Sequence, residues 1–316
     1  MVSLETQFPS SDTTHKFHTN ATIWRNMTWS RSTIWLFLAP ALLIYGLFTV
    51  YPTVSGLTLS LTNSNGIGQA DFIGLDNYLV LLKDPVVKTV LVNTLIYTAF
   101  VTVVQNGLGL LLAVWLANVP SIRNALRVAF IAPAMLSGLV LGYVWSYLLS
   151  PLGGPLNETL QLLGLGTLSR VWLGDPSIAL IVVASVHVWM YIGYSTAIFL
   201  TGYLSLPREL LDSAAIDGAS GLKRFWHVEW PLLAPATTVA VTLSLLGSSK
   251  AFDLPFILTN GGPGDATRLT SLAIFQNAFA AQRFGYGAAI AVVTTLLVIA
   301  ISSFVSSALR RREAVL

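Results

Sequence analysis

Six long uncharged, largely apolar runs constrain this chain more than any other feature. They are Thr33–Leu61, Thr89–Asn118, Val128–Leu149, Ile178–Leu204, Leu232–Ser249 and Phe284–Leu309. A helix needs about 20 consecutive apolar residues to cross the hydrocarbon core of a bilayer, and these runs meet or approach that length. Backbone amides in lipid must be satisfied within their own segment, so such runs read as helices. Alternation with a period of two, the mark of an outer-membrane barrel, is absent. The expected fold is an all-α membrane protein with six transmembrane helices.

Composition agrees. Charged residues make up only 10% of the chain and mean hydropathy is +0.71, against about 25% charged in a soluble domain. A net charge of +3 would hint weakly at nucleic acid in a soluble protein. Here the positive-inside rule explains it better, and no nucleic-acid partner is expected. With both termini cytoplasmic, eleven bases fall inside and five outside, while the acids divide seven and seven. Lys250 lies at the end of a span. The favoured topology is therefore six spans with both ends inside. Residues 1–32 read as a polar cytoplasmic tail, 33–310 as the spanning domain and 311–316 as a short C-terminal tail. The first run then serves as an uncleaved signal-anchor, its helix kinked or ended early by Pro40 and Tyr51-Pro52.

The charges that remain are concentrated. Pro207–Pro231, reading PRELLDSAAIDGASGLKRFWHVEWP, holds four of the 14 acids and three of the 17 bases. Pro207 suits the first turn of a helix. Glu209 and Asp212 follow where a helix dipole favours carboxylates, and Gly218 fits a chain-reversing C-cap. A second short helix, Leu222 to Val228, completes a cytoplasmic helix–turn–helix. It could rest on lipid headgroups, but Glu209, Asp212 and Asp217 would be repelled by anionic lipid, which favours a protein partner.

This segment resembles the EAA loop of binding-protein-dependent ABC importer permeases: E-A-A, three residues, G, nine residues, I-x-L-P. Asp212-Ser213-Ala214 take the first place, Gly218 keeps its spacing, and Val228, Trp230 and Pro231 take the last. Tyr51-Pro52, FIGLDNY (Phe72–Tyr78) and LTNGGP (Leu258–Pro263) are similar to the carbohydrate branch of that family. The resemblance implies a type I importer permease fold in a prokaryotic inner membrane. It also implies a second homologous permease, two copies of a cytoplasmic ATPase and an extracytoplasmic solute-binding protein. Glu209, Asp212, Ser213, Ala214, Asp217 and Gly218 would couple to the ATPase. Asn260, Gly261, Gly262 and Pro263 would face the binding protein.

Chemistry of its own is not expected of the chain. None of its five lysines follows a glycine as a phosphate-cradling loop requires. ATP and Mg would be bound by the partner ATPase, with no cofactor or metal here. His187 is the only histidine within a run, with no acid near it in sequence to complete a catalytic triad. His187, Tyr191 and Tyr194 share one helix face. They line a sugar pathway or make an interhelical hydrogen bond; both readings stand. Lys250 and Asp253 are a snorkelling pair or a substrate gate, and Gln105 and Asn106 are further path candidates. The runs contain no acid for ion coupling, which disfavours a secondary transporter. A non-sugar solute such as glycerol phosphate would call for a basic pathway, and only Lys250 offers one.

Overall fold

The computed structural model of the chain describes residues 31–313. Most of the expected N-terminal tail and the last three residues lie outside them. The chain divides into two units, Met1–Val54 and Ser55–Leu316. The described residues form helices and turns, with one isolated bridge pairing Thr62 with Phe72.

The first run is a continuous helical path: α1 (Arg31–Tyr45), a π-helical turn at Gly46–Val50, and α2 (Tyr51–Leu59). Of the two alternatives at Tyr51-Pro52, a kink or an early end, the early end does not hold, since the helix runs on to Leu59. Proline at position 52 removes one donor and crowds the carbonyl four residues back. The wider π turn directly before it relieves that crowding without ending the helix. The same device recurs at Phe225–Glu229, ahead of Pro231.

The short α3 (Asp76–Lys83) leads into α4 (Pro85–Ala117), which has 33 residues and spans about 50 Å at 1.5 Å per residue. Asp84 caps α4, accepting from Val86 N at 2.9 Å, so the helix begins a turn before Thr89. The third run is not one straight helix. α5 (Arg123–Ile131) and the 3-10 turn Ala132–Met135 meet α6 (Gly138–Leu148) at 96°. Pro133 lacks the donor that would carry the helix through, and Leu136 and Ser137 are extended.

α7 (Pro155–Leu162) lies in the following loop, and α8 (Ala179–Leu204) reproduces the fourth run closely. Next come α9 (Arg208–Ile216), α10 (Gly221–Arg224), the π turn Phe225–Glu229 and α11 (Trp230–Leu232). The helical stretch ending in α11 meets α12 (Ala234–Ser249) at 71°. α13 (Asp253–Thr259), α14 (Thr270–Phe275) and α15 (Phe284–Glu313) complete the chain. Four helices are long and apolar enough to cross a membrane, or up to six if each bent pair is one span.

Half of the apolar window of α8 is buried, more than for any other of these four, which makes α8 the centre of the second unit. Tyr97 and Val101 of α4 pack there with Val183 and Met190 of α8. Further along, Ala113 and Leu116 meet Phe199, Leu200 and Ala240 of α12. Small residues allow these helices to touch. A Cβ on Gly193 would stand 2.1 Å from the Phe130 carbonyl oxygen, and one on Gly109 2.7 Å from the Ser195 Cβ.

Candidate functional site

Three helices, α4, α8 and α12, are held together by polar side chains at their contact. Gln105 Nε2 donates to Ser195 Oγ at 3.0 Å and to the Tyr191 carbonyl at 3.3 Å. Ser195 Oγ donates to Asn106 Oδ1 at 3.1 Å, and Asn106 Nδ2 donates to Ser244 Oγ at 2.6 Å. All four side chains are buried. Away from water such bonds are costly to leave unmade, so the network fixes the register of the three helices. Gln105 Oε1 is left as a buried acceptor without a partner.

Beside this network lies a cavity of about 560 Å³, lined by Gln105, His187, Tyr191, Tyr194, Lys250 and Asp253, among others. Six of the seven path candidates thus meet in one place. The seventh, Asn106, sits behind the wall and borders a separate, nearly wholly apolar cavity of about 620 Å³. His187 Nδ1 bonds Tyr97 Oη at 3.0 Å, an interhelical hydrogen bond, and its ring also lines the cavity. Three rings of α8 run along the wall, His187 to Tyr191 at 4.8 Å and Tyr191 stacked on Tyr194 at 6.1 Å. Lys250 and Asp253 are not an ion pair. The two pairs among the described residues are Arg224–Glu229 and Arg268–Asp265. Asp253 instead lies against Gly138 at the start of α6, where the positive end of a helix dipole favours a carboxylate.

The charged loop folds as its residues suggest, with two refinements. Pro207 precedes α9 rather than opening its first turn, Glu209 falls in that turn, and Ser213 Oγ folds back onto the Glu209 carbonyl at 2.8 Å. Gly218 takes φ +77°. Its N–H bonds the Ala215 carbonyl at 3.1 Å, and Ala219 N–H bonds Ala214 at 2.9 Å, the paired bonds of a Schellman ending. Ala214 is buried, while Asp212, Ser213 and Asp217 are exposed beside Ile216, Leu222 and Trp226. The second helix covers Leu222–Val228 and more, running from Gly221 to Leu232 with the π turn Phe225–Glu229 inside it.

Sequence reasoning missed Tyr97, Ser195 and Ser244, which are ordinary polar residues within apolar runs until their neighbours are known. It also missed Glu229, which is 3% exposed and bonded by Arg224 Nε at 2.7 Å. Five residues apart, the two would lie about 140° apart around an α-helix; the π turn brings them to one side.

The LTNGGP segment closes on itself. Asn260 ends α13 with φ 48° and is exposed, Gly261 is buried, and Gly262 and Pro263 are partly exposed. Thr267 Oγ1 donates to the Gly262 carbonyl at 2.7 Å, and Asn93 of α4 donates to the Asp265 carbonyl at 2.8 Å.

Residues 105–314 match the family described as "Binding-protein-dependent transport system inner membrane component". The chain belongs to this family. As a family member it is a multi-pass component of a transport system that works with a binding protein. Its matched region contains α8, the charged loop and α12. The chain is 35% identical over 271 residues to the probable ABC transporter permease protein YurN of Bacillus subtilis, covering 85% of this chain and 92% of the relative. It is 33% identical over 279 residues to the probable starch degradation products transport system permease protein AmyD of Thermoanaerobacterium thermosulfurigenes, covering 88% and 94%. Its fold resembles a chain in the crystal structure of a bacterial ABC transporter that imports the acidic polysaccharide alginate. The TM-score is 0.77 at 20% identity, covering 92% of this chain and 99% of that one.

Proposed function

We propose that this permease subunit passes an oligosaccharide, delivered by an extracytoplasmic binding protein, through the cavity between α4, α8 and α12. One observation carries the reading: α8 bears His187, Tyr191 and Tyr194 on the cavity wall and leads directly into the charged loop. Aromatic faces stack on sugar rings, while the amide of Gln105, His187 and the charged ends of Lys250 and Asp253 bond hydroxyls. The starch-product permease among its relatives supports a sugar as cargo. Lys250 is the single lysine or arginine lining the cavity and Asp253 lines it too, which suits a neutral solute better than a phosphate.

In this reading each bent pair is one span, giving six spans within residues 33–310 and both termini in the cytoplasm. The loop 207–231 is the coupling element, presenting Glu209, Asp212, Ser213, Ala214, Asp217 and Gly218 toward a partner ATPase. A second homologous permease and two ATPase copies complete the importer, and ATP and Mg are bound by the ATPase. Asn260, Gly261, Gly262 and Pro263 lie at the opposite end, toward the binding protein.

Tyr191→Ala removes the middle ring of the wall, a stacking contribution of about 1 kcal/mol, so uptake at low sugar concentration should fall roughly fivefold. Uptake assays on vesicles with equal amounts of protein measure this, and unchanged uptake removes Tyr191 from the path. A reporter fused after Leu316 should be active only in its cytoplasmic form. An external signal would overturn the six-span topology.

A further inference from the structure

The inner side of the charged loop carries a group that sugar binding does not use. Glu229 is among the most buried charged residues of the described chain, at 3% exposed. Its only ion-pair partner there is Arg224, Nε to Oε1 at 2.7 Å. Carboxylates are almost never buried to this degree unpaired, and removing Arg224 would strand the Glu229 charge. Tyr203, in the last turn of α8, lies beside both charges and interacts with each. α9 packs on the π turn that holds Glu229, with Ala214 buried at 8% exposed. The covalent link from α8 to α9 is only Ser205–Pro207, a connection that would by itself let α9 swing.

We propose that Arg224, Glu229 and Tyr203 form a positioning strut that locks the return limb of the loop to the end of α8. This rests on the importer reading above. Movement imposed on α9 by the ATPase then turns α8, and with it the ring wall of His187, Tyr191 and Tyr194. Without the strut the loop follows the ATPase and the cavity does not.

The chain contains no cysteine, so one introduced thiol reports cavity access cleanly. Tyr194, 46% exposed on the cavity wall, is the reporter position. The complex with its own ATPase, in membrane vesicles and carrying Tyr194→Cys, is treated with a water-soluble maleimide, with and without Mg-ATP and vanadate. The labelling rate should change about fivefold or more on trapping, the scale of ordinary coupling between sites. Adding Glu229→Gln should remove that change while ATP hydrolysis continues. The charge exchange Arg224→Glu with Glu229→Arg should restore it, which a merely structural role would not require. If Glu229→Gln lowers the amount of protein in the membrane, Tyr203→Phe, which deletes only a hydroxyl, serves instead and should at least halve the response. A response that survives both Glu229→Gln and Tyr203→Phe overturns the strut alone. No response to nucleotide in Tyr194→Cys itself overturns the importer reading and the strut with it.

Discussion

Gly193→Val should leave little folded protein. At Gly193 the helix α8 crosses α5 so closely that a Cβ would lie 2.1 Å from the Phe130 carbonyl oxygen and 2.7 Å from the Ile131 nitrogen. Both obstacles are backbone, so no rotamer change can relieve them. The helices must separate, which opens the packing around Phe199 and Leu200. Overpacking at such a site costs about 3 kcal/mol, a large share of the stability of any single domain. Gly107 is the matched control: it lies in α4, and a Cβ there meets nothing within 4 Å. Thermal unfolding of the detergent-solubilised protein should show a collapse for Gly193→Val and a near-native midpoint for Gly107→Val. Equal behaviour of the two variants would contradict the crossing.

Gly218→Val should act on transport rather than folding. The backbone at Gly218 sits at φ +77°, where a β-branched residue is an outlier, at about 1–2 kcal/mol. A Cβ there meets nothing within 4 Å, so the whole cost falls on the local backbone. α9 would lose its Schellman ending and the angle at which it presents Asp212 and Ser213. The variant should insert and assemble, and ATP-driven uptake should fall about tenfold, in line with that free energy. Gly218→Asn should stay close to wild type, because asparagine tolerates the left-handed region. Wild-type uptake by the valine variant would remove Gly218 from coupling.

These two glycines mark where sequence reasoning reached and where it stopped. Gly218 was legible because its role is local: a polar, acid-headed helix followed by Asp-Gly implies a C-cap whatever surrounds it. Gly193 was not, because its neighbour is Phe130, in a different helix, and a glycine in an apolar run carries no sign of what crosses it. Hydropathy found α4, α8 and α15 nearly to their ends, since run length in an apolar solvent leaves the backbone no alternative. The same measure cannot register a bend. Neither bend was read from the sequence, and the angles of 96° and 71° depend on tertiary packing. His187, Tyr191 and Tyr194 were placed on one face by their spacing. That Gln105, Lys250 and Asp253 join them in one cavity follows from tertiary contacts alone. Arg224–Glu229 was hidden by the π turn, which changes the period on which any helical pairing rule rests.

The central claim is an importer whose energy comes from a partner ATPase and whose cargo is an oligosaccharide. Its most direct test is uptake by proteoliposomes containing the complete complex, supplied with its binding protein and a panel of labelled oligosaccharides. At least one oligosaccharide should accumulate only when the binding protein and Mg-ATP are both present, and ionophores that collapse proton and sodium gradients should leave its rate unchanged. Uptake that proceeds without ATP, or that stops when the ion gradients are collapsed, would contradict the account.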